Sequence, residues 1–407
     1  MNSLSPQINR IIFYIIVITL SISPAFATSD VDQRNYLLIG CMIFGILILP
    51  FSKCYLPIID NYLILIAIIS LGFQLFFHLS TLRISTILFT ILFISYFMLG
   101  MRTFIKSKIT YGQLEKLFSY LIISYAVVLL IQQCCILLNL PVFNSVVVVS
   151  DKWKLNSLAA EPSHTSRYVG ILMYSFLEVQ EKRQGHKDRL LSSIRKNKLI
   201  WSSFLWIMLT TVSGTAILIL FLICTRYITK KNMVIIGTIT AIVISVGVTS
   251  DFTALRRSSS FVTAVSTGNY KNMTKADHSA SVRVVPMLLC MERINIFDLK
   301  CWIGNGIGST GKWMSKFFPG VPKGWSGGGI MNYALEYGLL VASIYLIFSF
   351  RCCFDKKNKL ATVGLWIMCV VLEGINMQMG WLCILLLFIV KQNILENHTK
   401  VLSWNNT

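Results

Sequence analysis

Uninterrupted apolar stretches recur along this chain at 11–28, 36–51, 61–79, 84–101, 117–140, 168–180, 199–228, 233–250, 332–350 and 361–390. In lipid only helices and closed barrels satisfy their own backbone, and barrel strands alternate polar with apolar residues. These runs do not alternate, so barrels and open sheets are excluded and the expected fold is an all-α polytopic integral membrane protein. Composition agrees. Of 407 residues, 55% are apolar and 13% charged, where an ordinary soluble domain is about 25% charged. Lys and Arg number 37 against 17 Asp and Glu, a net charge of +20. No basic stretch lies outside the hydrophobic framework, so nucleic acid is not an expected partner; lipid headgroups or anionic ligands are.

Topology turns on two runs, 199–228 and 361–390, each 30 residues long where roughly 20 suffice for one crossing. Thr211-Val212-Ser213-Gly214-Thr215 and Glu373-Gly374-Ile375-Asn376 supply central turns. Read as hairpins, they give twelve spans with both termini inside, and the short inner segments hold 22 Lys and Arg against five outside. Read as single spans, the counts become 15 and 12. The positive-inside rule selects hairpins. The chain then divides into helices 1–5 (1–140), an external loop (141–167), helices 6–9 (168–250), a long external loop (251–331), and helices 10–12 with a tail (332–407). The basic run Glu181–Lys198 reads as an orientation signal against anionic headgroups.

Two points stay open. Ile11–Leu20 followed by Ser23-Pro24-Ala25-Phe26-Ala27 fits a cleavable signal peptide, but the single basic residue Arg10 and a second run within ten residues favour an uncut anchor. The eleven cysteines mostly read as small apolar fillers; Cys290 and Cys301 alone share a long polar loop, where a disulfide is conceivable.

Candidate chemistry lies in the two external loops. Leu158–Arg167 places Glu161, His164 and Arg167 within seven residues directly before a run, an expensive position for charge beside a membrane. Ser163, Thr165 or Ser166 could instead serve as the helix N-cap, with Pro162 in the first turn. The loop 251–331 carries ten basic and four acidic residues interleaved with Trp302, Trp313, Phe317, Phe318 and Trp325. Guanidinium forks suit phosphate oxygens, and aromatic faces suit sugar rings; interfacial tryptophans are the plainer reading. Gly304-Asn305-Gly306-Ile307-Gly308 mimics a dinucleotide fingerprint without a preceding strand. It reads better as a tight turn approaching a headgroup or another helix.

These features together resemble the O-antigen polymerase and ligase superfamily: Glu161-Pro162-Ser163 after an external loop, Ser281-Val282-Arg283, Arg293, the Gly304–Gly308 turn, and Asn332–Leu339 at a span start. The resemblance covers nearly the whole chain through motif order rather than long identity. It implies a GT-C-like glycosyltransferase of a bacterial inner membrane with its active site facing the periplasm. The donor would be an oligosaccharide on undecaprenyl diphosphate, and a flippase and a chain-length regulator would be pathway partners. Ligases of the superfamily carry a His at the start of the span after the long loop, where this chain has Gly327-Gly328-Gly329-Ile330-Met331-Asn332, so a polymerase is expected, with a ligase or a lipid-linked oligosaccharide flippase as alternatives. No cofactor or metal is called for, since the diphosphate is already a leaving group. Expected catalytic residues are Glu161 as base with His164 second, and Arg283 and Arg293 on the diphosphate. Arg167, Gly304, Gly306, Trp302 and Trp325 are expected to bind substrate.

Overall fold

Ser5 opens the first helix by accepting a hydrogen bond from the Ile8 amide at 3.3 Å, with Pro6 in the first turn; both choices suit a helix start. This helix is α1 (Pro6–Ser21), followed by α2 (Tyr36–Ile48), α3 (Pro57–Phe77), α4 (Ile84–Ser107) and α5 (Tyr111–Leu137). Thr110 and Gln113 cap α5 reciprocally. The computed structural model describes residues 4–23, 35–52, 54, 56–79, 83–144, 153, 155–211, 213–227, 260, 263–268, 270–276, 278–317 and 326–391. The run 233–250, Trp325, Phe318 and the cleavage-site residues 24–27 lie outside them.

Among the described residues every regular element is helical. Among these residues three helices are long and apolar enough to cross a membrane: α3 with 21 residues, α4 with 24 and α5 with 27. Their outer faces present Ile68, Phe76, Leu88 and Leu130 in exposed positions. A wall of this kind is foreign to water-facing surfaces and suits an apolar solvent.

The middle of the chain forms α6 (Pro162–Gln184), α7 (Leu190–Lys196), α8 (Lys198–Thr210) and α9 (Gly214–Thr225). Pro162 marks the upper end of α6 and Gln184 its lower end. Asn197, just before α8, bonds Gln180 at the lower end at 3.0 Å. Thr215, at the start of α9, meets Ser166 at the upper end at 3.0 Å, and Arg226 returns to Glu178 and Glu181 at the lower end. The described part of the run 199–228 is therefore a hairpin, with α8 and α9 as its two arms. Gly170 of α6 faces Ile219 of α9, where an added Cβ would collide, so a small residue sets that close approach.

The stretch 251–331, expected as a loop, is largely helical where described: α10 (Tyr270–Ala276), α11 (His278–Glu292), α12 (Leu299–Ile303) and α13 (Gly311–Met314). Cys290 and Cys301 are both free, so the conceivable disulfide does not form; Cys301 instead sits beside the Asn295 amide at 3.3 Å.

The run 332–350 departs from a single helix. It splits into α14 (Gly329–Tyr337) and α15 (Leu339–Cys353) at Gly338, whose φ is 104°. A side chain there would be strained and would also strike the Trp302 carbonyl.

The chain then enters α16 (Lys359–Trp366), a π turn over Ile367–Val371, and α17 (Gln378–Lys391). Asn358 bonds Glu178 at the lower end at 2.7 Å. Arg167 bonds the Met368 carbonyl at the upper end at 2.9 Å, and Lys182 reaches the Lys391 carbonyl at the lower end at 3.1 Å. The run 361–390 is thus a second hairpin. α6 and α17 pack together at the centre. All but the last residue of α17 is buried, as is every residue of α6 from Thr165 to Gln180, the condition expected of helices enclosed on all sides.

Candidate active site

Glu161 has an extended backbone, φ −139° and ψ 155°, and Pro162 begins α6. Glu161 itself holds the N-cap position, so Ser163, Thr165 and Ser166 lie inside the helix rather than capping it. Spacings of three and four residues then put Ser163, His164 and Arg167 on neighbouring positions of the first two turns. The partial positive charge of the helix N-terminus favours a carboxylate at Glu161.

Two distant segments meet this face. From α11, Arg283 donates to the Glu161 carboxylate and to the Ser163 hydroxyl, each at 2.7 Å, and Ser163 bonds Glu161 at 3.1 Å. From the turn of the second hairpin, Glu373 pairs with Arg167 and lies 3.9 Å from His164 Nε2. Arg167 is 1% exposed. Its Nε donates to the Ser163 carbonyl at 3.2 Å and its Nη1 to the Met368 carbonyl at 2.9 Å, while Nη2 is buried with no hydrogen-bond partner. The π turn bonds Leu372 N to Ile367 O at 3.1 Å, and the Met368 carbonyl within it is the one that meets the guanidinium. Such turns often sit at functional sites.

Burial pushes the Glu161 carboxyl up, but His164, the Arg283 guanidinium, the Ser163 hydroxyl and Arg167 outweigh it and hold it below the ordinary carboxylate range. Burial also lowers His164, assisted by Arg167 and Arg283 against the pull of Glu373 and Glu161. The direction on both is clear: an ionised Glu161 and a neutral imidazole at neutral pH. Either form can accept a proton, but one oxygen of the Glu161 carboxylate is already engaged by Arg283 and Ser163.

The other expected site residues lie elsewhere. Arg293 follows Arg283 by ten residues, about 15 Å along a helix, and its guanidinium stacks 3.4 Å above the Trp313 ring. The expected pair of arginines on one diphosphate is not assembled. Gly304 and Gly306 have no amide to spare for a headgroup, because Gly304 N bonds Lys300 O at 2.7 Å and Gly306 N bonds Glu336 O at 3.1 Å. A Cβ on Gly304 would stand 2.7 Å from Gly338 N. The turn packs against another helix, which was one of its two readings. Trp302 is exposed and donates its indole N–H to the Ile296 carbonyl at 2.8 Å.

Glu373 is the residue that sequence reasoning missed, having been read only as part of a turn. A lone carboxylate within a 30-residue apolar run was the available signal. Among the described residues no group of three or more His, Cys, Asp or Glu has metal-holding geometry. Compared with family models, curated proteins and solved structures, the chain finds no match, so the superfamily resemblance rests on its motifs.

Proposed function

We propose that this chain is a bacterial inner-membrane glycosyltransferase that polymerises undecaprenyl-diphosphate-linked oligosaccharide repeat units on the periplasmic face. In this reading the fold is GT-C-like with twelve spans, and the upper end of the bundle faces the periplasm. The observation that carries it is the convergence of Glu161, His164 and Arg167 with Arg283 and Glu373 at that one end. Carriers place ionisable groups near the midplane between related halves, which this clustering at an end disfavours.

In the reaction, a hydroxyl of the incoming repeat unit attacks the anomeric carbon of the growing chain. The proton passes to the neutral His164, the anomeric C–O bond to the diphosphate breaks, and the bonding pair leaves with undecaprenyl diphosphate. Arg283 meets that developing charge, and Glu161 with Ser163 holds the guanidinium in place. The buried Arg167–Glu373 pair fixes the face on which His164 stands.

The test reads the accumulated product. Cells carrying His164→Gln, Glu161→Gln or Arg283→Lys should keep normal protein levels yet place a single repeat unit on lipid A-core. Lysine keeps the charge but lacks the planar fork with which a guanidinium meets two phosphate oxygens at once. Bare core with long polymer still on its lipid carrier would assign a ligase instead, and units trapped facing the cytoplasm would assign a flippase.

A further inference from the structure

The segment after α11 exposes apolar side chains in sequence: Ile296, Phe297, Leu299 and Trp302, with Phe297 91% exposed. Solvated turns do not gather such residues without a partner. Their position in the fold identifies the partner. His78, immediately after α3, bonds the Gly304 carbonyl at 2.8 Å, and the Trp302 carbonyl packs on Gly338 at the start of α15. The short helix α12 therefore rests on the upper ends of α3 and α15. At those ends Phe76, Phe77, Leu79 and Leu340 are also exposed. The apolar residues of 296–302 continue the rim of the apolar wall.

Two further details fit a lipid surface. The Trp302 indole N–H is already satisfied by the Ile296 carbonyl at 2.8 Å, so the ring can enter an apolar layer without leaving a donor unpaired. Lys300 is exposed between Leu299 and Cys301, and a flexible ammonium beside apolar anchors reaches headgroup phosphate.

We propose that Ile296, Phe297, Leu299 and Trp302 form a wedge that enters the headgroup layer of a phospholipid bilayer. The wedge holds the end of α11, and through that helix Arg283, at a fixed height above the membrane surface. The proposal rests on the reading that the apolar helices lie in a bilayer, and it is independent of the chemistry at Glu161.

The full-length protein is reconstituted in vesicles of phosphatidylcholine and phosphatidylglycerol, with an environment-sensitive fluorescent amino acid at position 297 or at position 68. Ile68 lies on the outer face of α3 and is 62% exposed. At 297, lipids carrying a doxyl group near the headgroup should quench about twofold more than lipids labelled deep in the chain, with weak quenching by aqueous iodide. At 68, deep labels should quench more. Iodide quenching at 297 with lipid quenching at 68 would overturn the wedge and leave the membrane reading in place. If iodide alone reaches position 68, the membrane reading falls and the wedge with it.

Discussion

Arg167 carries a charge that water does not reach, and Glu373 is the carboxylate that answers it. Removing one member of a buried pair leaves the other uncompensated and costs about 3–5 kcal/mol, whereas replacing both with apolar groups is often nearly neutral. Glu373→Ala should therefore lower the thermal midpoint of the purified protein sharply, and Arg167→Met combined with Glu373→Ala should recover most of it without activity. An unchanged midpoint in Glu373→Ala would contradict the pairing. Protons supply a second residue-scale test. His164 is depressed below its ordinary value, so the unfolded chain binds a proton that the folded one refuses, and stability falls as pH drops below about 6.5. Glu161 is depressed too, and its contribution is present above about pH 4.3 and lost as pH falls through the folded value. Melting curves across pH should show the first decline vanish in His164→Gln and the second shrink in Glu161→Gln. Glu161, His164, Arg167 and Arg283 were legible in the sequence as charges crowded at a helix start or in a basic loop. Their partnership with Glu373 was not, because contacts between segments so far apart leave no local signature.

At the scale of elements, Gly338 decides where α14 ends and α15 begins. Gly185, at the end of α6, has a comparable φ of 75° but open space where a Cβ would go. Gly185→Ala should thus cost only the backbone strain, about 1–2 kcal/mol. Gly338→Ala should cost clearly more, since the Trp302 carbonyl and the Gly304 turn must move as well. Equal midpoints for the two variants would remove the crossing as a constraint. Both 30-residue hairpins could be anticipated because excess length and flanking lysines are local and countable. The break at Gly338 could not, because a glycine inside an apolar run looks like any tolerated helical glycine until a second backbone is found against it. The helices within 251–331 were hidden for another reason: their apolar periodicity is shared between a core around Met273 and Leu289 and a strongly exposed face.

At the scale of the whole molecule, ion pairs gather at both ends: Arg102–Asp60, Arg183–Glu115, Lys196–Asp188 and Arg226–Glu178 at the lower one, and the group around Glu161 at the upper one. A cysteine placed at Asn272 should react with a membrane-impermeant thiol reagent in intact spheroplasts, and one at Gln184 should not. Labelling restricted to Gln184 would contradict the proposed orientation, in which the Glu161 group faces the outer side.

The join between Arg167 and Glu373 crosses 206 residues of chain. During synthesis, at about 5–20 residues per second, the guanidinium leaves the ribosome some ten to forty seconds before its carboxylate does. Through that interval α6 cannot settle into its enclosed place without stranding a charge, so the nascent bundle stays open around it. Insertion of the last hairpin is then the event that both neutralises the arginine and closes the centre. A chain stopped short of it would present an unanswered cation to the quality-control proteases.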